Sequence, residues 1–142
     1  MACARKEANR RILIIDDEVD VLEFLKIYLE SLGWTVTAVT TPDEAFGALA
    51  RHPFFLILSD IAMPGIDGYE LMHEVVERKI PSQLAFMTGF GYDPNHTLVR
   101  IRKDAHYPCL FKPFDRRKVA ETVQRAWEAY SVDLDNGARE SV

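Results

Sequence analysis

Cysteine is scarce in this chain. Cys3 and Cys109 are the whole supply, too few for a disulfide framework, and Cys109 sits inside an apolar run that reads as a strand. A reducing, cytoplasmic setting is therefore expected. No apolar run approaches the roughly 18 residues that a membrane-spanning helix needs. The first ten residues, MACARKEANR, are charged and have no apolar core, so they do not read as a secretory signal. A basic excess is also missing: the formal net charge is −5, whereas direct nucleic-acid binding calls for a strong positive footprint. Internal repeats and low-complexity tracts are absent. The four histidines, His52, His73, His96 and His106, show no close ligand spacing and read as surface residues.

What remains is ordinary globular material. The 142 residues are 48% hydrophobic and 27% charged, and a chain of this size can bury roughly 68–70% of its unfolded surface as one domain. Short apolar runs alternate with helical patterns along the whole length, which is the signature of a parallel sheet with crossover helices. The runs lie at residues 11–15, 35–40, 54–58, 83–87 and 107–111. Residues 35–40, TVTAVT, alternate with a period of two, as a half-exposed edge strand does. Residues 54–58 are apolar on both faces and belong in the middle of a sheet.

The helical segments carry their own signals. Val21, Leu22, Leu25, Tyr28, Leu29 and Leu32 share one face, and Gly33 follows as a C′ residue. Thr41-Pro42-Asp43-Glu44 reads as a capping box with proline at the first helical position. Further helices are predicted over residues 69–79, after Pro94, and after Asp115. The last has Val119, Val123, Ala126, Trp127 and Tyr130 as its buried stripe and ends near residue 131. The expected organisation is an extension over residues 1–10, one domain over 11–131, and a polar, frayed tail over 132–142. The fold is read as α/β, a doubly wound five-stranded parallel sheet of order 2-1-3-4-5 flanked by five helices.

Chemistry-bearing residues fall at the ends of the apolar runs: Asp16 and Asp17 after ILII, Asp60 after FFLILS, Thr88 after LAFM and Lys112 after CLF. Taken singly, each has a bland explanation as a cap, a turn residue or a solvated surface group. In an open α/β sheet, however, ligands bind beyond the carboxyl ends of the strands, and the order 2-1-3-4-5 brings all five residues to that rim. Clustered carboxylates repel, by about 4 kcal/mol per pair near 4 Å at an effective dielectric of 20. An all-oxygen, partly hydrated pocket of this kind suits Mg²⁺. With Asp16 and Asp17 engaged by metal, Asp60 is the nucleophile left to accept a phosphoryl group. Lys112 would neutralise charge, and the Thr88 hydroxyl would hydrogen-bond to a phosphoryl oxygen.

The ordered set of Asp16-Asp17, the string from Asp60 to Gly68 (DIAMPGIDG), Thr88-Gly89 and Lys112-Pro113-Phe114 resembles the receiver domains of two-component response regulators. The resemblance covers residues 11–131. It implies phosphorylation at Asp60, Mg²⁺ held by Asp16, Asp17, Asp60 and the main-chain carbonyl of Ala62, a switch role for Thr88, a phosphate contact from Lys112 and a cis Lys112–Pro113 bond. It also implies a sensor histidine kinase or histidine phosphotransfer protein as phosphodonor. The protein would not be an enzyme beyond self-phosphorylation and slow self-dephosphorylation. A downstream protein target would read the fourth and fifth strand–helix units, which would also serve any homodimer. Only about a dozen residues follow the last expected helix, so no DNA-binding output domain is expected within this sequence.

Two departures from the family pattern stand out. Cys109 occupies the place of the usual switch aromatic, with Tyr107 and Phe111 on the same strand face. Ala62 and Phe90 are apolar where the hydrolytic water passes in the family, and slow loss of phosphate is the expectation. Two other functions fit parts of the pattern. One is a Mg²⁺-dependent phosphohydrolase with an aspartyl-phosphate intermediate, although that group uses Asp-x-Asp where this chain has Asp16-Asp17-Glu18. The other is a receiver-like binding module that never uses phosphate.

Overall fold

Five runs of branched and aromatic residues form the strands, and a computed structural model describes residues 10–61, 68–89 and 107–140. The strands are β1 (Arg11–Ile15), β2 (Thr35–Val39), β3 (Leu56–Asp60), β4 (Gln83–Thr88) and β5 (Cys109–Phe111). All pair in parallel, in the order β2-β1-β3-β4-β5. Four helices connect or follow them among the described residues: α1 (Val19–Ser31), α2 (Pro42–Arg51), α3 (Gly68–Glu77) and α4 (Arg116–Glu140). The helix expected after Pro94 lies outside the described residues, as do Ala62 and Phe90.

Because successive strand side chains point to opposite faces, β1 feeds two cores. Ile12 and Ile14 pack with Leu25 and Leu29 of α1 and with Val119 and Val123 of α4. Leu13 and Ile15 pack with Ala45 and Ala48 of α2 and with Leu71 and Val75 of α3. Burying a side chain such as Leu25, which is fully enclosed, stabilises the fold by about 1.5–3 kcal/mol. The position of β2 at the edge matches its two-residue pattern, and every residue of the central β3 is buried.

Helix ends follow local chemistry. Thr41 Oγ1 accepts from the Glu44 N–H at 3.2 Å, and Glu44 Oε1 accepts back from the Thr41 hydroxyl at 3.1 Å. At the end of α1, the Trp34 N–H donates to Leu29 O at 3.2 Å and the Gly33 N–H to Glu30 O at 3.1 Å. That is a Schellman closure, and Gly33 supplies its left-handed residue at φ 98°.

Several boundaries differ from the sequence expectation. β3 begins at Leu56 and runs through Asp60, so Asp60 ends the strand instead of following it. β5 is confined to Cys109–Phe111; Pro108 has no N–H to donate to a ladder, though its carbonyl accepts from the Phe86 N–H at 2.9 Å. α4 continues to Glu140, beyond the end expected near residue 131. No proline interrupts that stretch, and the Asp133 carboxylate accepts from Gln83 Nε2 at 2.9 Å, tying the helix to the start of β4.

Candidate functional site

The carboxyl edge of the sheet collects the polar residues that the core rejects. Asp16 follows β1 directly, Asp60 ends β3, Thr88 ends β4 and Lys112 follows β5. Registry carries this convergence: Ile15 lies opposite Ser59, Asp60 opposite Met87 and Thr88 opposite Phe111. Main-chain bonds fix the rim, from the Asp16 N–H to Val39 O at 3.2 Å and from the Lys112 N–H to Thr88 O at 2.9 Å.

The Lys112 ammonium lies at the centre of the site. Its Nζ is 2.7 Å from Asp16 Oδ2, 3.1 Å from Glu18 Oε1 and 3.2 Å from Asp60 Oδ2. The contact with Asp16 lacks hydrogen-bond alignment despite its short distance, so charge holds it. Asp16 Oδ1 accepts from the Glu18 N–H at 2.9 Å. Asp16 is fully buried, Asp60 and Thr88 are each 4% exposed, and Asp17 is open to solvent.

One carboxylate oxygen from each of Asp16, Asp17 and Asp60 lies within 4.8 Å of the other two. At that separation each like-charged pair repels by about 3–4 kcal/mol at an effective dielectric near 20. Burial pushes the Asp16 carboxyl above its ordinary 3.8; the Lys112 ammonium and the Glu18 N–H oppose this without reversing it, and Asp60 reinforces it. Burial alone would lower the Lys112 ammonium, but Asp16, Glu18 and Asp60 outweigh it and hold the group above its ordinary 10.5. The donor set is all oxygen and carries excess negative charge, which fits a hard divalent cation such as Mg²⁺.

Thr88 completes the rim. Its Oγ1 is buried and has no hydrogen-bond partner among the described residues, so the hydroxyl has a donor to offer a group arriving at the rim. Nearby, Ile61 and Phe86 form a small apolar cluster against which Tyr107 and Cys109 pack. The Tyr107 ring stands edge-on to Phe86 with centroids 6.0 Å apart, whereas Phe111 is 54% exposed. The Lys112–Pro113 bond is cis.

All five residues singled out in the sequence therefore meet at one place, and Ala62 lies outside the described residues. Two participants escaped the sequence reading. Glu18 reaches Lys112, yet adjacency to an acidic pair does not reveal that its side chain turns towards the fifth strand. Gly68 opens α3 against the back of Asp60: a Cβ there would lie 2.8 Å from Asp60 O and 3.0 Å from Ile61 Cα. Its place between a turn and a helix was the available clue.

Comparison with known proteins agrees with this geometry. The sequence profile described as the response regulator receiver domain matches residues 12–124. The response regulator receiver protein CpdR of Brucella abortus is 32% identical over 120 residues, which is 82% of this chain and 95% of that protein. The C4-dicarboxylate transport transcriptional regulatory protein DctD of Rhizobium meliloti is 28% identical over 125 residues, 88% of this chain but only 27% of that protein. Among solved structures, a response regulator receiver domain protein from Clostridium thermocellum superposes with a TM-score of 0.77 at 21% identity, covering 86% of this chain and 97% of that one.

Proposed function

The chain belongs to the response regulator receiver family, and from that premise we propose that it is a phosphorylation switch whose acceptor is the Asp60 carboxylate. Receiver domains take part in two-component signalling with histidine kinases or histidine phosphotransfer proteins, and one of these is the phosphodonor proposed here. The observation that carries the reading is the position of Lys112 Nζ, 2.7 Å from Asp16 Oδ2 and 3.2 Å from Asp60 Oδ2. A fixed cation beside a buried carboxylate is the arrangement that phosphoryl transfer requires, since that reaction depends mainly on positioning and neutralisation.

In the proposed step an Asp60 oxygen attacks the phosphorus of a phosphohistidine. The P–N bond breaks, imidazole leaves with the electron pair and takes up a proton, and an acyl phosphate remains on Asp60. Lys112 donates to a phosphoryl oxygen through its ammonium. Thr88, buried and with no hydrogen-bond partner among the described residues, donates its hydroxyl to another, and that new bond makes the phosphorylated arrangement differ from the resting one. Asp16, Asp17 and Asp60 would hold Mg²⁺ together with the Ala62 carbonyl, and the ion would supply positive charge for the phosphoryl oxygens. The acyl phosphate carries about −1.5 to −2 charge where the carboxylate carried one negative charge, and it shifts the population only through its better contacts in one conformation. The proposed readout is the surface of the fourth and fifth strand–helix units, offered to a protein target or to a second copy. The scarcity of cysteine supports a cytoplasmic setting for this exchange.

Incubation with Mg²⁺ and acetyl phosphate, followed by peptide mass spectrometry, tests the assignment. Phosphate at Asp60, absent in Asp60→Asn, is expected. Modification elsewhere, or equal loading of Asp60→Asn, would overturn it.

A further inference from the structure

Lys112 has three N–H donors, and three carboxylates surround them: Asp16 at 2.7 Å, Glu18 at 3.1 Å and Asp60 at 3.2 Å. A phosphoryl group on Asp60 draws on the same ammonium and so competes with its resting partners. Asp16 is fully enclosed and cannot turn to water. Asp60 is the residue that carries the phosphoryl group. The Glu18 side chain, by contrast, is 60% exposed and can swing into solvent at little expense.

Glu18 also stands where a helix would place a different residue. It is the N-cap of α1, with extended backbone at φ −89° and ψ 109°, yet its side chain makes no capping hydrogen bond. Asn, Asp, Ser and Thr are the effective caps. The carboxylate reaches across to the fifth strand–helix connection instead, while the residue's own N–H orients Asp16. The side chain thus makes no hydrogen bond to the helix it begins.

We infer that Glu18 is a positioning residue that occupies one Lys112 donor in the resting protein and is displaced when a phosphoryl group arrives on Asp60, setting how readily the site loads. The inference rests on the phosphoacceptor reading above. Two effects act in one direction. The ion pair between Glu18 and Lys112 stabilises the unloaded form, and the Glu18 charge opposes an incoming anion. Removing the carboxylate leaves Lys112 anchored by Asp16 while freeing a donor.

The test compares wild type, Glu18→Gln and Glu18→Asp at saturating Mg²⁺. It reads the initial rate of Asp60 phosphorylation by acetyl phosphate and the affinity for beryllofluoride. Glutamine removes the charge; aspartate keeps the charge but is one methylene too short to hold the same contact. Both variants are expected to load faster and to bind beryllofluoride more tightly by about three- to fivefold, the range that an exposed ion pair supports. Thermal midpoints should fall by no more than about 2–4 °C, because the side chain makes no capping hydrogen bond and only an exposed ion pair is lost. Wild-type rates and affinities in Glu18→Gln would overturn the inference. So would a fast Glu18→Gln beside a wild-type-like Glu18→Asp, since the field of the charge alone would then suffice. Failure of the wild type itself to accept phosphate would instead sink the phosphoacceptor reading, and this inference with it.

Discussion

Two glycines in this chain should respond to alanine in opposite directions. Gly47 lies inside α2, where a Cβ would meet only the Arg51 guanidinium at 3.6 Å, an ordinary contact with a flexible group. Alanine there gains helix propensity and removes freedom from the unfolded chain, worth about 0.5–1 kcal/mol of added stability. Gly68 opens α3, where the same Cβ would press to 2.8 Å from Asp60 O, 3.0 Å from Ile61 Cα and 3.3 Å from Phe86 Cε1. Two of those three atoms are main chain and cannot swing aside. The Gly68 N–H also donates to Ile61 O at 2.8 Å, so the helix start cannot back away without losing that bond. Overpacking of this kind costs about 1–3 kcal/mol, against a helix-propensity gain of at most about 1 kcal/mol. The net expectation for Gly68→Ala is a loss of about 1–2 kcal/mol. At about 3–4 °C per kcal/mol for a domain of this size, Gly68→Ala should melt some 3–8 °C lower by calorimetry, and Gly47→Ala about 2–4 °C higher. Because the clash falls on the main chain of Asp60, Gly68→Ala should also accept phosphate more slowly, whereas Gly47→Ala should load as wild type. Shifts of the same sign in the two variants, or an unperturbed Gly68→Ala, would refute the reasoning.

Mg²⁺ should raise the thermal midpoint through the carboxylate cluster, by about 2.7 kcal/mol of added stability at one hundred times its dissociation constant; chelation should reverse the shift and Asp16→Asn should abolish most of it, and no shift in wild type would count against the metal site. Lys112→Met leaves Asp16 and Asp60 buried without their ammonium and should destabilise the fold by about 3 kcal/mol, measured by urea titration, so an unchanged midpoint would contradict the pairing. The Lys112 ammonium is held above its ordinary 10.5; the stability it contributes is complete below that value and is lost as pH rises through its higher folded-state value, so alkaline titration should destabilise wild type more steeply than Lys112→Met. The apolar residues Ala62 and Phe90 should make the acyl phosphate persistent, and decay within seconds in the purified phosphoprotein would refute that expectation.

Strand alternation, helical stripes and chemistry at the strand ends are local properties, which is why the sequence alone was enough to read the parallel sheet, its order, the Thr41 cap, the Gly33 closure and the grouping of Asp16, Asp17, Asp60, Thr88 and Lys112. Each strand's burial is written in its own three to six side chains, and the crossover rule leaves few ways to join them. Boundaries were less legible: Asp60 and Thr88 are the last residues of their strands, because pairing with neighbours, not composition, decides where a strand stops. The same holds for α4, whose extension past residue 131 meets Gln83, fifty positions away along the chain. What tertiary structure alone decided were contacts between residues far apart in sequence: that Glu18 reaches Lys112, that the Thr88 hydroxyl is buried with no partner among the described residues, and that no Cβ fits at Gly68. Those depend on distances of a few ångströms across the sheet edge, and such distances follow from strand registry and helix docking acting together.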